Sequence, residues 1–213
     1  MRLTVWGHSC ISIDTGDGRL VVDPGSFSRA DAALEDAGTV LITHEHADHV
    51  VPEHLVAVLE ARPDLAVHAP VEVLELLMEH GAPGARLHAV SVGDRPAVAG
   101  TDVLVGGGTH AEIHPDVPRP ANVGYLIGTV WHPGDSLDLP PGDAEVLLLP
   151  AAAPWLKLAE AIDFCRAVAP RVAVPIHDAI LSDPGRALAD RLLSGLGRAG
   201  EYRRLAPGES LEV

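Results

Sequence analysis

The apolar run Thr39-Val40-Leu41-Ile42 is followed directly by Thr43-His44-Glu45-His46-Ala47-Asp48-His49, so three histidines and two carboxylates fall within six residues. The run is short, rich in β-branched side chains and bounded by Gly38, the pattern of a buried strand. The polar cluster therefore stands where a strand leaves the core. The strand fixes the backbone there, and the loop beyond it lets side chains converge. His44 and His46 share one face of an extended segment, because side chains alternate along it. Asp48 and His49 fall in the turn before a helix expected from Pro52 to Ala61 and can point elsewhere. The spacing gives two ligand pairs, His44 with His46 and Asp48 with His49, and two pairs suggest two metals. Nitrogen and oxygen donors of this kind suit zinc.

The same design, an apolar run ending in a ligand-type residue, returns three times. Val103-Leu104-Val105 passes through Gly106-Gly107-Gly108 to Thr109-His110. A hairpin of Val123–Ile127 and Thr129–Trp131 about Gly128 leads to His132-Pro133-Gly134-Asp135-Ser136. Val172–Ile176, after a helix from Trp155 to Val168, reaches His177-Asp178. Singly, each is an ordinary loop residue. Together, four strand ends carrying such residues describe the mouth of a site. His132 and Asp178 alternate away from their neighbours on extended backbone, so support roles are the most expected of them. His8, in Trp6-Gly7-His8-Ser9, reads as a site wall or as a hydrogen-bonded histidine in a tight turn. Asp23, before Pro24, reads as a carboxylate orienting a metal-bound histidine or as a turn-initiating residue.

Elsewhere, Leu3–Trp6 and Cys10–Asp14 read as strands, and Gly16-Asp17-Gly18 turns the chain into a third, Arg19–Val22. Leu65–Ala69 reads as a strand and Val71–His80 as a helix ended by Gly81. Leu87–Val90, Arg95–Ala99 and Asp102–Val105 follow as strands, and Pro115–Pro120 as a surface loop. A helix from Pro184 to Leu196 and two short strands close the chain. Hairpins followed by alternating strands and helices imply a layered α/β fold with mixed sheets. At 213 residues the chain fits one domain spanning 1–213.

Charge limits the partners. With 30 acidic against 15 basic residues the net charge is −15, Lys157 is the only lysine, and no basic patch appears, so nucleic acid is not an expected partner. A small-molecule substrate is. Aromatic residues are only 3%, so Ala, Val and Leu must fill the core. Cys10 and Cys165 lie in apolar contexts and are expected to be free and buried. The opening residues go straight into a strand-like pattern, and nothing approaches the ~20 apolar residues of a membrane span. A cytoplasmic protein with no membrane association is the expectation; its oligomeric state is not legible.

In order and spacing, His44-x-His46-x-Asp48-His49, then His110, Asp135 and His177, resemble the metallo-β-lactamase superfamily across essentially the whole chain. Trp6-Gly7-His8-Ser9, Asp23-Pro24, Asn122-Val123-Gly124-Tyr125, His132-Pro133-Gly134-Asp135-Ser136 and Val174-Pro175-Ile176-His177 are similar to its compact branch of L-ascorbate-6-phosphate lactonase-like proteins. The resemblance implies a four-layered αβ/βα sandwich with the site at one edge between two sheets. It implies that His44, His46 and His110 hold one divalent metal, that Asp48, His49 and His177 hold another, and that Asp135 bridges them. Zinc is the expected metal, with manganese or iron as alternatives.

The implied activity is a dinuclear metal-dependent hydrolase using a metal-bridging hydroxide on a small ester, lactone or phosphoester. Asp48 and Asp135 would serve the chemistry as well as the metals, with Asp48 orienting the nucleophile. His114 lies four residues beyond His110 and would share its face on a helix, where it could protonate a leaving group; the competing reading is an exposed loop histidine. The chain has His46 where flavodiiron-type relatives have Glu, and it has no long inserted arm like that of the RNA-processing members. Two other readings use the same residues: a mononuclear iron oxidoreductase of the persulfide dioxygenase kind, and a non-catalytic metal-binding scaffold.

Overall fold

A computed structural model describes residues 1–213. The first half of the chain builds one mixed sheet. β1 (Arg2–Gly7), β2 (Cys10–Asp14) and β3 (Arg19–Val22) are antiparallel neighbours. Helix α1 (Ala30–Leu34) carries the chain to β4 (Thr39–Leu41), α2 (Pro52–Ala61) to β5 (Ala66–Ala69), and α3 (Val71–Glu79) to β6 (Leu87–Ala89). β3, β4, β5 and β6 lie parallel, as strands joined through helical crossovers do.

The second half repeats the plan. β7 (Ala97–Val98), β8 (Thr101–Thr109), β9 (Ala121–Ile127) and β10 (Val130–His132) are antiparallel. β11 (Val146–Pro150), α4 (Leu158–Val168), β12 (Val172–Ile176), α5 (Asp183–Leu196) and β13 (Glu201–Tyr202) extend that sheet in parallel. β14 (Ser210–Glu212) returns to pair with β1. The result is two seven-stranded sheets.

Alternation along the strands sets the layering. Leu41 faces the opposite sheet, within a cluster that also holds Leu3, Ile11, Leu20, Tyr125, Leu148 and Val174. Its neighbours Val40 and Ile42 point the other way, onto Leu55 and Leu59 of α2 and Leu74 and Leu77 of α3. In the second sheet Leu148 faces inward, while Leu147 and Leu149 pack on Ile162 and Phe164 of α4 and Leu193 of α5. Both faces of both sheets are thus covered, which is why β4 and β11 are continuous apolar runs. Each fully buried Leu contributes roughly 1.5–3 kcal/mol of hydrophobic stabilisation. Helices outside two facing sheets make the four-layered αβ/βα sandwich.

Several boundaries differ from the sequence expectations. β8 continues past the expected end at Val105 through the glycine run to Thr109, because Gly106, Gly107 and Gly108 pair in register with Gly124, Val123 and Asn122. Gly124 is required by packing: a Cβ there would lie 2.3 Å from Cη2 of the buried Trp131. β7 shrinks to two residues; Pro96 has no N–H to offer a ladder. α4 begins at Leu158, leaving Trp155 in the turn before it. The short helix α1 and the fully buried strand β11 are elements that the sequence periodicity does not single out. Cys10 and Cys165 are free and buried, as expected. No helix is long and apolar enough to cross a membrane.

Candidate metal centre

The exits of β4, β8, β10 and β12 meet at one edge of the sandwich. Two cross-sheet bonds hold them there. Val123 N–H donates to Thr43 O at 3.0 Å, and the buried Tyr125 hydroxyl donates to Ile42 O at 2.8 Å. Beyond Thr43 the chain closes into a tight turn in which the N–H groups of His49 and Val50 both donate to His46 O, at 2.8 and 3.0 Å. That turn separates Asp48 and His49 from His44 and His46. The segment after β3 packs directly beneath it. Ser26 N–H donates to Ala47 O at 2.9 Å, and a Cβ on Gly25 would lie 1.9 Å from Asp48 O.

The seven residues expected from the sequence converge. His44, His46, His110 and Asp135 form one group of ligand-type side chains; Asp48, His49 and His177, with His8, form a second, and within each the donor atoms lie within 4.8 Å of one another. Asp135 faces both groups. Its Oδ2 is 3.4 Å from His110 Nε2 and 3.1 Å from His177 Nε2, and its Oδ1 is 3.1 Å from His49 Nε2.

The rings are held by their outer edges. His49 Nδ1 bonds Asp23 Oδ2 at 2.7 Å, His110 Nδ1 bonds Ala111 O at 2.6 Å, and His177 Nδ1 bonds Ala152 O at 2.6 Å. A ring nitrogen facing a carbonyl or carboxylate carries a proton, which leaves the inner Nε2 of each ring as the nitrogen a cation would take. Asp23 also accepts from Thr43 N–H at 2.8 Å and Thr43 Oγ1 at 2.7 Å, and Thr43 Oγ1 in turn lies 3.0 Å from His44 Nδ1. His44 Nε2 and His46 Nδ1 point together at 3.1 Å.

This donor set fits divalent cations. Buried side-chain atoms without a hydrogen-bond partner number five in the molecule, and four of them are His49 Nε2, His110 Nε2, His177 Nε2 and Asp135 Oδ1. Burying polar atoms unpaired costs about 1–3 kcal/mol each. Their concentration at one point is what a cation site requires.

The protein's own charges shape the centre. Burial works against charge on His49, but the carboxylates of Asp135 and Asp23 outweigh it and raise its pKa well above the usual value. Burial pushes Asp135 up, while His49, His110 and His177 hold it well below the carboxylate range. Burial likewise opposes ionisation of Asp48, yet the His8 hydrogen bond and the charges of His49 and His177 bring it to about 2. His44 is driven down by burial and by the nearby His49. Asp48, with its side chain 25% exposed, marks the open side of the centre.

Of the remaining expectations, Asp23 takes the orienting role and not merely that of a turn former. His132 is buried, its Nε2–H donating to Ser9 O at 2.8 Å, and Asp178 accepts from Arg186 and Arg204; both are supports. His114 is corrected. The segment after His110 is not helical, and His114 is exposed beside Asp116, outside both groups. Two contributors, Trp155 and Asn122, escape sequence reasoning, and His8, readable from the sequence as a site wall or a hydrogen-bonded histidine, is a hydrogen-bonded wall of the site. Trp155 Nε1–H donates to Asp135 Oδ2 at 2.9 Å, Asn122 Oδ1 accepts from Asp135 N–H at 2.9 Å, and His8 Nε2 bonds Asp48 Oδ2 at 3.0 Å. The only available signals were the tight Gly7-His8-Ser9 turn and the Asn122 that opens an apolar strand; nothing marks Trp155.

Comparison with known proteins extends this picture. A family profile described as "Beta-lactamase superfamily domain" matches residues 2–177. Protein Rv0786c of Mycobacterium tuberculosis is 41% identical, over 88% of this chain and 89% of its own length. A metal-dependent hydrolase of Opitutus terrae is 26% identical over 100% of both chains. Among solved structures, Igni18, a metallo hydrolase of the archaeon Ignicoccus hospitalis, superposes with a TM-score of 0.73 at 21% identity, covering 99% of this chain and 97% of its own.

Proposed function

This chain belongs to the beta-lactamase superfamily, and from that premise we propose that it is a metal-dependent hydrolase with a dinuclear centre, acting on a small ester, lactone or phosphoester. The observation that carries the proposal is Asp135: one carboxylate faces two groups of ligand-type side chains, and the nitrogens nearest to it, His49 Nε2, His110 Nε2 and His177 Nε2, are buried with no hydrogen-bond partner. Relatives named as metal-dependent hydrolases support the reaction class. His44, His46 and His110 would hold one cation, Asp48, His49 and His177 the other, with Asp135 between them. The nitrogen and oxygen donors favour zinc and also accept manganese or iron.

When bound, such cations supply an activated water and a Lewis acid for the substrate's carbonyl or phosphoryl oxygen. The chain's own residues do the rest. Asp23, Ala111 and Ala152 keep the outer ring protons of His49, His110 and His177 in place, so the inner nitrogens stay available. Asp48 remains ionised across the physiological range, which suits an orienting hydrogen-bond acceptor at the open side and makes it a weak proton acceptor. The buried walls around Asp135 limit access of bulk water, so charge interactions there are stronger than in solvent.

The test is metal content per chain by mass spectrometry, followed by turnover of a lactone, a carboxylic ester and a phosphoester by the loaded protein. Two divalent ions per chain, with kcat/KM measurable on one class and abolished by Asp135→Ala, is the expected result. A single iron that refuses a second metal, or two metals with no turnover of any class, would overturn it.

A further inference from the structure

By distance alone, His8 belongs to the second group with Asp48, His49 and His177, and would count as a fourth holder of a cation. Its hydrogen bonds argue otherwise. Ala179 N–H donates to His8 Nδ1 at 3.3 Å, so that nitrogen carries the lone pair. In a neutral imidazole the proton must then sit on Nε2, the nitrogen 3.0 Å from Asp48 Oδ2. A protonated nitrogen has no lone pair for a metal. It can only donate.

We propose that His8 is a positioning residue for Asp48 rather than a metal-holding group, with Nε2–H donating to Asp48 Oδ2 while its Nδ1 and carbonyl oxygen are tied to the backbone after β12. The proposal rests on the reading of the centre given above. The carbonyl of His8 accepts from His177 N–H at 3.0 Å, so one residue touches both the Asp48 turn and the His177 exit. These come from opposite sheets. His8 is therefore the short link between two elements that must keep a fixed separation for Asp48 and His177 to act on the same cation.

The local backbone is consistent with that task. His8 sits at φ 50, in the left-handed region that side chains other than glycine rarely adopt, and His177 at φ 58 does the same. The His8 ring is fully buried, edge-on to Phe27 with centroids 5.3 Å apart and 4.0 Å from the His177 ring. These contacts and the hydrogen bonds at both ring nitrogens hold it in one orientation, with Nε2 toward Asp48. Outer partners of this kind typically affect metal affinity by about 10–100-fold.

The wild-type chain is first titrated with zinc against a chromophoric chelator, and its histidine ring nitrogens are observed by 15N NMR before and after loading. A chain that takes up no zinc fails the reading of the centre at that step, before any variant is needed. The expected result for His8 is a proton on Nε2 and a bare Nδ1 in both states. His8→Gln, which retains an N–H donor, should bind two equivalents with affinities within a few-fold of wild type. His8→Ala should weaken one site by ~10–100-fold and leave the other unchanged. Loss of the Nε2 proton on zinc loading, or wild-type affinity in His8→Ala, would overturn the proposal. The NMR measurement needs no variant, so it decides the matter even if His8→Ala does not fold.

Discussion

Asp23 Oδ2 stands 2.7 Å from His49 Nδ1, and both side chains are fully buried. The carboxylate fixes which nitrogen of His49 bears the proton. In Asp23→Asn an amide N–H can replace the acceptor, driving the proton to Nε2, where a cation would otherwise bind. On the proposed dinuclear reading, zinc affinity at the site that includes His49 should fall by ~10–100-fold, measured by chelator competition. Unchanged affinity would remove Asp23 from the centre.

Trp155 gives the second prediction. Its indole N–H donates to Asp135 Oδ2, and Trp155→Phe keeps most of the ring volume while deleting the donor. We expect kcat to fall by about tenfold, equivalent to ~1.4 kcal/mol, with thermal stability nearly retained. A large fall in Tm with unchanged kcat would make Trp155 a packing residue only.

Gly25 carries the third. A Cβ there would lie 1.9 Å from Asp48 O, 2.0 Å from Asp48 C and 2.4 Å from His49 N, all main-chain atoms that cannot rotate away. Gly25→Ala must displace the turn that places Asp48 and His49. It should cost at least ~1–3 kcal/mol of stability and weaken the site that includes these two residues, read by denaturant melts and zinc titration. Wild-type values for both would mean that the 23–28 segment does not support the turn.

The fourth lies away from the centre. His68 stacks on His88, with ring centroids 4.7 Å apart, across the parallel pair β5–β6. Burial, assisted by the charge of His88, holds His68 at about 4 against an ordinary 6.5. With the folded pKa depressed, the unfolded chain takes the proton first. The contribution is therefore fully present above pH ~6.5 and lost as pH falls toward 4. Because the ring is only half-buried, the loss should be on the order of 1–2 kcal/mol after solvent screening. His68→Gln should flatten the fall in denaturation free energy between pH 7.5 and 4.5 relative to wild type; an identical slope would refute the assignment.

Much of this architecture is legible in the chain because the same cause acts on sequence and structure. His44 and His46, expected on one face of an extended segment, do fall in one group although β4 ends at Leu41, and Asp48 and His49, past the turn, join the other. What stayed hidden depends on contacts distant in sequence. The role of Asp23 could not be decided from Asp-Pro, because it is set by Thr43 and His49 about 20 and 26 residues on. His8 reaches Asp48 across 40 residues and Ala179 across 171. Trp155 reads as the start of α4 until the turn before that helix swings its indole onto Asp135. The glycine run reads as a loop until its partners on β9 are known, and His114 reads as a neighbour of His110 only on a helix that does not form.

Each group of ligand-type residues draws members from both sheets: His44 and His46 face His110 and Asp135, and Asp48 and His49 face His177. Cations held there would fasten the two halves of the sandwich as rivets fasten two plates. Free energy of binding then becomes free energy of folding, growing as RT ln(1 + [L]/Kd) with the free metal concentration. Heat resistance of this chain should accordingly track metal supply, and a strong chelator should loosen the molecule first along the seam where the strands end.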